Sequence, residues 1–276
     1  MNIGDRPRTS ILAAVSCVWR DRNLVWQLTL REILGRYRGS GLGVAWSFLN
    51  PVLMLAVYTF VFSVVFNAKW GRDLHETRVD FALILFVGMI VYAFVADCVN
   101  RAPTLILANV NYVKKVVFPL EILPVVSLNA AVFHAGVSVA VWAVARVLSG
   151  GALHWTAVLL PVVFLPLLLG TLGVSWMLAA LGVYVRDIGQ SIGIATTVLM
   201  FLSPMFFPRD AIPSEFRLVV DLNPLTWFME RARDVLIWGR APGWVDLTAH
   251  FAGAVIVAQA GYWWFQRTRR GFADVL

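Results

Sequence analysis

The chain has 276 residues, 59% of them hydrophobic and only 14% charged, with a mean hydropathy of +0.75. Soluble domains carry roughly 45–50% apolar and about 25% charged residues, so the composition excludes a soluble globular domain and indicates an all-α polytopic membrane protein. Two cysteines, Cys17 and Cys98, are too few for a disulfide framework and lack CxxC spacing, and the formal charge of +7 needs a topology before it can be read.

From the N-terminus, Arg6 and Arg8 precede a short apolar stretch, but charge resumes at Arg20, Asp21 and Arg22 with no small-residue cleavage pattern. This does not read as a cleavable signal. Residues 22–38 read as an amphipathic helix, with Trp26, Leu30, Ile33 and Tyr37 on one side and Gln27, Arg31 and Arg38 on another. Such a helix lies in the membrane interface or packs on a protein partner. The run GSGLG comes next, but no strand precedes it and its spacing is not G-x-G-x-x-G, so it is not a dinucleotide loop. Gly39, Gly41 and Gly43 are expected to turn the interface helix into the first span and to allow close helix contact, with Asn50–Pro51 locally loosening that span.

A bilayer core of roughly 30 Å takes about 20 apolar residues as a helix. Six segments meet this in a single domain over 1–276: residues 44–68, 80–99, 122–145, 155–183, 188–208 and 247–266. An even number puts both termini on one side. The side holding the tails, residues 100–121 and the Arg186 turn carries fourteen basic and seven acidic residues, and the opposite side nine of each, so the whole +7 lies on one face. By the positive-inside rule that face, with both termini, is cytoplasmic. Between the fourth and fifth spans, VYVRDIGQ makes a short polar turn. Residues 209–246 lie on the outer side yet stay apolar enough for short re-entrant or interfacial helices. There Asn223 caps a helix starting at Pro224 and Gly239 ends it; Leu225, Phe228, Met229, Ala232 and Leu236 form its apolar stripe, with Glu230, Arg231, Arg233 and Asp234 as the polar remainder.

Several chemistries are missing from the sequence. There is no Walker A loop, no HExxH and no GxSxG, and His75, His134, His154 and His250 are scattered without metal-ligand spacing. His134 and His250 fall inside spans, where a lone His either relays protons or, as the commoner use, makes a hydrogen bond to a neighbouring helix. Asp97 sits near the cytoplasmic end of its span, within reach of water. The span centres are nearly free of ionisable groups, unlike an ion-driven carrier. The protein therefore moves something with energy supplied elsewhere.

Four separated segments carry a resemblance: LTLREILGRYRGSGLGVAWSFLNPVLMLAVYTFVFSVVF, NYVKKVVFPLEILPV, VYVRDIG and LNPLTWF. In this order, across nearly the whole chain, they resemble the membrane subunits of ABC exporters for polysaccharides, including O-antigen, capsule and teichoic-acid exporters. The resemblance implies a homodimeric permease that is not itself an enzyme. It would pair with two copies of a nucleotide-binding ATPase that hold the ATP, need no cofactor or metal of its own, bind no nucleic acid, and sit among the lipids of the bacterial inner membrane. Its cargo would be a lipid-linked polysaccharide. The same resemblance implies that the Tyr184–Ile188 turn docks on the ATPase, with Tyr184, Arg186 and Asp187 at the contact.

Arg31, Arg36 and Arg38 stand at the headgroup level, where the phosphates of such a lipid or of ordinary anionic lipids would meet them. Lys114 and Lys115 have the same two readings. Tyr58, Phe62 and Phe66 fall on one face of the first span, either lining a glycan path or packing against helices and lipid. A drug or lipid ABC permease of similar topology is the alternative, followed by a self-powered flippase and a membrane-embedded sugar transferase.

Overall fold

The computed structural model describes residues 10–66, 70, 78–114 and 118–276, and among these the chain is all-α, without a strand. Lys115 and the side chain of Lys114 lie outside the described residues, as do Arg6, Arg8 and the end of the first expected span after Phe66. The helices are α1 (Ile11–Arg20), α2 (Arg22–Arg36), α3 (Trp46–Tyr58, continued as a wider π-helix over Thr59–Val65), α4 (Arg78–Arg101), α5 (Val110–Lys114), α6 (Ile122–Leu148), α7 (Leu160–Tyr184), α8 (Ile188–Phe201), α9 (Arg217–Asp221), α10 (Pro224–Arg233), α11 (Trp244–Thr268) and α12 (Phe272–Val275).

Among the described residues, four helical stretches are long and apolar enough to cross a membrane: Gly43–Phe62, Val79–Thr104, Ile122–Leu148 and Trp155–Tyr184. Helix α11 has 25 residues, but His250, Gln259 and Gln266 make it less apolar. Helix α8 has only 14 residues, about 21 Å at 1.5 Å per residue, and stops well short of residue 208. The cause is local: Pro204 disfavours helical backbone at the residue before it, and the chain turns at Leu202–Ser203, with the Ser203 amide donating to the Met200 carbonyl (3.3 Å). At α3 the helix runs through Pro51 and then widens, the Phe66 amide reaching back five residues to the Val61 carbonyl (3.0 Å).

Small residues set the closest approaches. Gly173 of α7 and Gly261 of α11 face each other, and a methyl group added at Gly261 would collide with the Gly173 carbonyl. Gly182 likewise lets α7 touch the Pro103 carbonyl. Apolar lipid gives helices no hydrophobic reason to associate, so backbone proximity and dispersion must hold such a pair. Gly39 and Gly43 both have positive φ (87° and 51°), which places the turn from α2 into α3 on residues that tolerate it. Within the described residues of the single chain nothing approaches Gly39, Gly41 or Gly43, so here Gly39 and Gly43 serve the turn.

Two cores fill the described part of the chain. One joins α4, α6 and α7 to α10 and the π-turn Asp234–Trp238, with Trp142, Phe86 and Met229 fully buried. The other lies where α1 and α2 meet the C-terminal helices, and gathers Ala14, Cys17, Val25, Trp176, Tyr262, Phe265 and Phe272 from α1, α2, α7, α11 and α12. We call that region the terminal end of the bundle.

The α10 hairpin docks through one buried cation. The Asn223 side chain accepts from the Leu225 amide (2.9 Å) and donates to the Leu199 carbonyl (2.8 Å), so it caps α10 and ties it to α8. Gly239 closes the following π-turn in the left-handed conformation (φ 65°). Arg233 is not part of a polar face, contrary to the expectation from its sequence. It is 3% exposed and donates to the carbonyls of Ile84 (3.1 Å), Pro204 (2.6 Å) and Met205 (3.2 Å), with its guanidinium 4.2 Å from the Trp70 ring centroid. Asp234 is buried as well. Arg233 follows Met229 by one helical turn, which puts it on the apolar face, and Gly88 of α4 leaves room for it. Hydrogen bonds to a charged group contribute about 1.5–3 kcal/mol each, and the carbonyls would be left bare without it. Arg233→Leu is therefore expected to destabilise the protein by about 3 kcal/mol or more, read as a lower melting temperature in detergent; an unchanged melting temperature contradicts this role.

Candidate functional site

Helix α2 lies along α6 and reaches α4 through ion pairs, and its sequence determines which face goes where. Val25, Thr29 and Ile33 recur every four residues and are buried against the protein. Trp26, Leu30 and Leu34 form a neighbouring apolar strip that stays exposed, Trp26 at 63%. The expected stripe is thus split: Ile33 faces protein, Trp26 and Leu30 face outward, and Tyr37 sits between. Tyr37 meets α6, its hydroxyl 3.4 Å from His134 Nδ1 and its ring edge-on to the imidazole. That contact gives His134 the interhelical bond expected of it. His250 differs: its Nδ1 lies 2.8 Å from the Asp246 carbonyl of its own helix and its ring stacks on Trp227 at 4.0 Å.

Two ion pairs bridge α2 to α4. Arg36 grips Asp97 with both guanidinium ends (Nη1–Oδ2 3.1 Å, Nη2–Oδ1 2.5 Å), and Glu32 pairs with Arg101. The four side chains are partly open to solvent, so each bridge contributes about 1 kcal/mol or less and can exchange partners. On one side of the bridges lies a cavity of about 750 Å³, lined by Trp46, Asn50, Tyr92, Asn100, Ser138 and His134. On the other lies one of about 1170 Å³, lined by Arg31, Arg38, Gln27, Asn109 and Tyr112. Arg36, Asp97 and Arg101 line both. The structure thus brings Arg31, Arg36 and Arg38 to one cavity and adds Arg101 from another helix. Sequence reasoning missed Arg101 as a member and Asp97 and Glu32 as counterions, since the partners lie more than sixty residues apart.

The aromatic stripe of the first span is continuous but not uniformly open. Tyr58, Phe62 and Phe66 succeed one another at centroid distances of 6.2 and 5.9 Å. Phe62 stacks on Phe206 (5.5 Å) and meets Phe81 (6.3 Å), while Tyr58 packs on the core cluster. Of the three, only Phe66 is strongly exposed, at 66%.

At the terminal end, α7 stops at Tyr184 and α8 begins at Ile188, which leaves Arg186 and Asp187 exposed at the tip of a tight turn. Tyr184 is exposed as well, at 43%, and also has partners within the protein. Its hydroxyl donates to the Thr268 carbonyl (2.8 Å) and its ring lies 6.1 Å from that of Phe272. Beside it, Arg269 pairs with Glu121 (2.6 Å) and donates to the Phe118 carbonyl (3.3 Å). The Glu121 carboxylate also takes the Cys17 thiol at 3.6 Å, and its carbonyl takes the Trp176 indole N–H at 3.0 Å. Burial, with the nearby Glu121 charge, raises the Cys17 pKa to about 12, so the thiol stays protonated and can donate. Cys17 and Cys98 are both buried and free. No group of His, Cys, Asp and Glu that could hold a metal ion occurs among the described residues.

Multi-pass helices, an exposed turn between two of them and a basic cavity at the terminal end describe a membrane permease. Residues 23–237 match the ABC-2 type transporter family, and the chain belongs to it. It is 29% identical over 259 residues to the O-antigen export system permease protein RfbA of Myxococcus xanthus, covering 93% of this chain and 96% of that one. It is 23% identical over 256 residues to the O-antigen export system permease protein RfbA of Klebsiella pneumoniae, covering 92% and 95%.

Proposed function

We propose that the chain is the transmembrane subunit of an ATP-driven exporter that carries a lipid-linked polysaccharide, of the O-antigen kind, out across the bacterial inner membrane. The observation that carries this reading is end-to-end similarity to O-antigen export permeases, whose lengths the chain matches almost completely. The residues support it. The sequence has no phosphate-binding loop, so the nucleotide site belongs on a partner ATPase. In the working complex two copies of this chain pair with two ATPase subunits. The first long span is the least buried of the four in the single chain, which leaves a lipid-like face available to a second copy or to the substrate's lipid.

In this reading the chain spans the membrane six times, α8 and α11 supplying the fifth and sixth crossings. The terminal end, with both termini, faces the cytoplasm, where the positive-inside rule places its excess of arginine and lysine. Helices α9 and α10 form the outer hairpin. Arg186 and Asp187 meet the ATPase. Helix α2 rests in the interface on Trp26, Leu30 and Leu34, and presents Arg31, Arg36 and Arg38 to the phosphates of the substrate's lipid, guanidinium forks matching phosphate oxygens. Phe66, with Tyr58 and Phe62 behind it, belongs to the aromatic path for sugar.

Two experiments in cells test these assignments, with surface polysaccharide as the readout. Reversing both charges at the turn, Arg186→Glu with Asp187→Arg, is expected to lower export about tenfold while the protein stays in the membrane; normal surface polysaccharide in that variant removes the turn from the coupling role. Arg36→Gln with Arg38→Gln is expected to lower export by a similar factor, with ATPase association preserved. Export at the parental level would show that these arginines only anchor ordinary lipid.

A further inference from the structure

The Tyr184 end of α7 is tied to a part of the molecule that the turn itself does not touch. Its hydroxyl bonds the Thr268 carbonyl at the end of α11, and its ring leans on Phe272, which is fully buried. One residue beyond Thr268, Arg269 holds Glu121, the residue just before α6. Glu121 is 8% exposed and bonds α1 through Cys17 and α7 through Trp176. Four elements thus close on one short terminal segment. On the other side of the turn, α8 fully buries only Thr196, whose hydroxyl donates to the Asn100 side chain, and its Leu199 carbonyl takes the Asn223 side chain. A load applied at Arg186 and Asp187 has a bonded route through the Tyr184 end of α7 into the segment after Thr268.

We infer that residues Arg269–Leu276 form a clasp that makes the Arg186–Asp187 turn move as one piece with the Glu121 end of α6 and with α1, with Tyr184, Arg269 and Glu121 as its positioning residues. Tyr184, 43% exposed, acts on this account as a strut between α7 and the clasp. Helix α1 leads directly into α2, so the clasp links the turn that receives the ATPase stroke to the helix that lines the basic cavity. The inference rests on the reading of the turn as the coupling point.

The test uses the permease with its partner ATPase in proteoliposomes, with ATP hydrolysis and export measured separately. Arg269→Glu is expected to lower export about tenfold while hydrolysis stays within about twofold, and adding Glu121→Arg is expected to restore most of the export. Tyr184→Phe, which removes only the hydroxyl, is expected to lower export per ATP about twofold to threefold. Normal export in Arg269→Glu overturns the clasp, and so does failure of the exchanged pair to restore it. Parallel loss of hydrolysis and export in all three variants also overturns it, because the segment then serves only folding or assembly. If Arg269→Glu uncouples but the Arg186→Glu, Asp187→Arg variant exports normally, the clasp stands and the turn is not its load point.

Discussion

A chain this apolar answers to one constraint: each polar group that leaves water must find its partner inside the protein. Two arginines meet it at opposite places. Arg233 enters the core between α4 and α8 and takes three carbonyls, two of them, at Pro204 and Met205, left over where α8 ends. Arg269 takes the carboxylate of Glu121, whose own carbonyl is bonded to Trp176. Each joins elements far apart in sequence: Arg233 ties the α10 hairpin to α4, and Arg269 ties the terminal segment to the start of α6. A buried and fully bonded cation such as Arg233 is costly to leave half-satisfied.

The ion pairs on α2 obey a different rule. Arg36–Asp97 and Glu32–Arg101 are partly solvated, so they contribute little to stability and exchange partners readily. Under the proposed function, that suits a place where an anionic ligand competes for arginine. Arg233, 3% exposed, holds the frame, whereas Arg36 and Arg101 are partly open and line the cavities, a distinction composition alone does not draw.

Much of this was legible in the sequence. Long apolar runs show themselves by length, and the Asn223–Pro224 start and the Gly239 stop of the α10 segment arise from local backbone chemistry. The turn at Gly39–Gly43 was readable for the same reason. What the sequence hid were partnerships. Ile84 and Arg233 lie 149 residues apart, and nothing near Arg233 except its one-turn spacing from Met229 says that it turns inward. Helix α2 misled because apolar residues occupy two adjoining faces, so the stripe through Trp26 and Leu30 looked like the single one while Val25 and Thr29 made the protein contact. The short α8 was hidden by hydropathy, which scores the residues after Phe201 as apolar although Pro204 stops the helix. At the site, the arginines of α2 were visible as a basic run beside a span, whereas Arg101, Asp97 and Glu32 joined them only through folding.

The proposed coupling requires force from a partner ATPase to reach the permease at the exposed tip between α7 and α8. Its most direct test is photocrosslinking in intact cells, with Asp187 replaced by a photoreactive benzoylphenylalanine. The predicted result is a covalent product with the ATPase subunit whose yield changes between ATP-replete and ATP-depleted cells. Crosslinks to lipid alone, with none to the ATPase in either state, would contradict it.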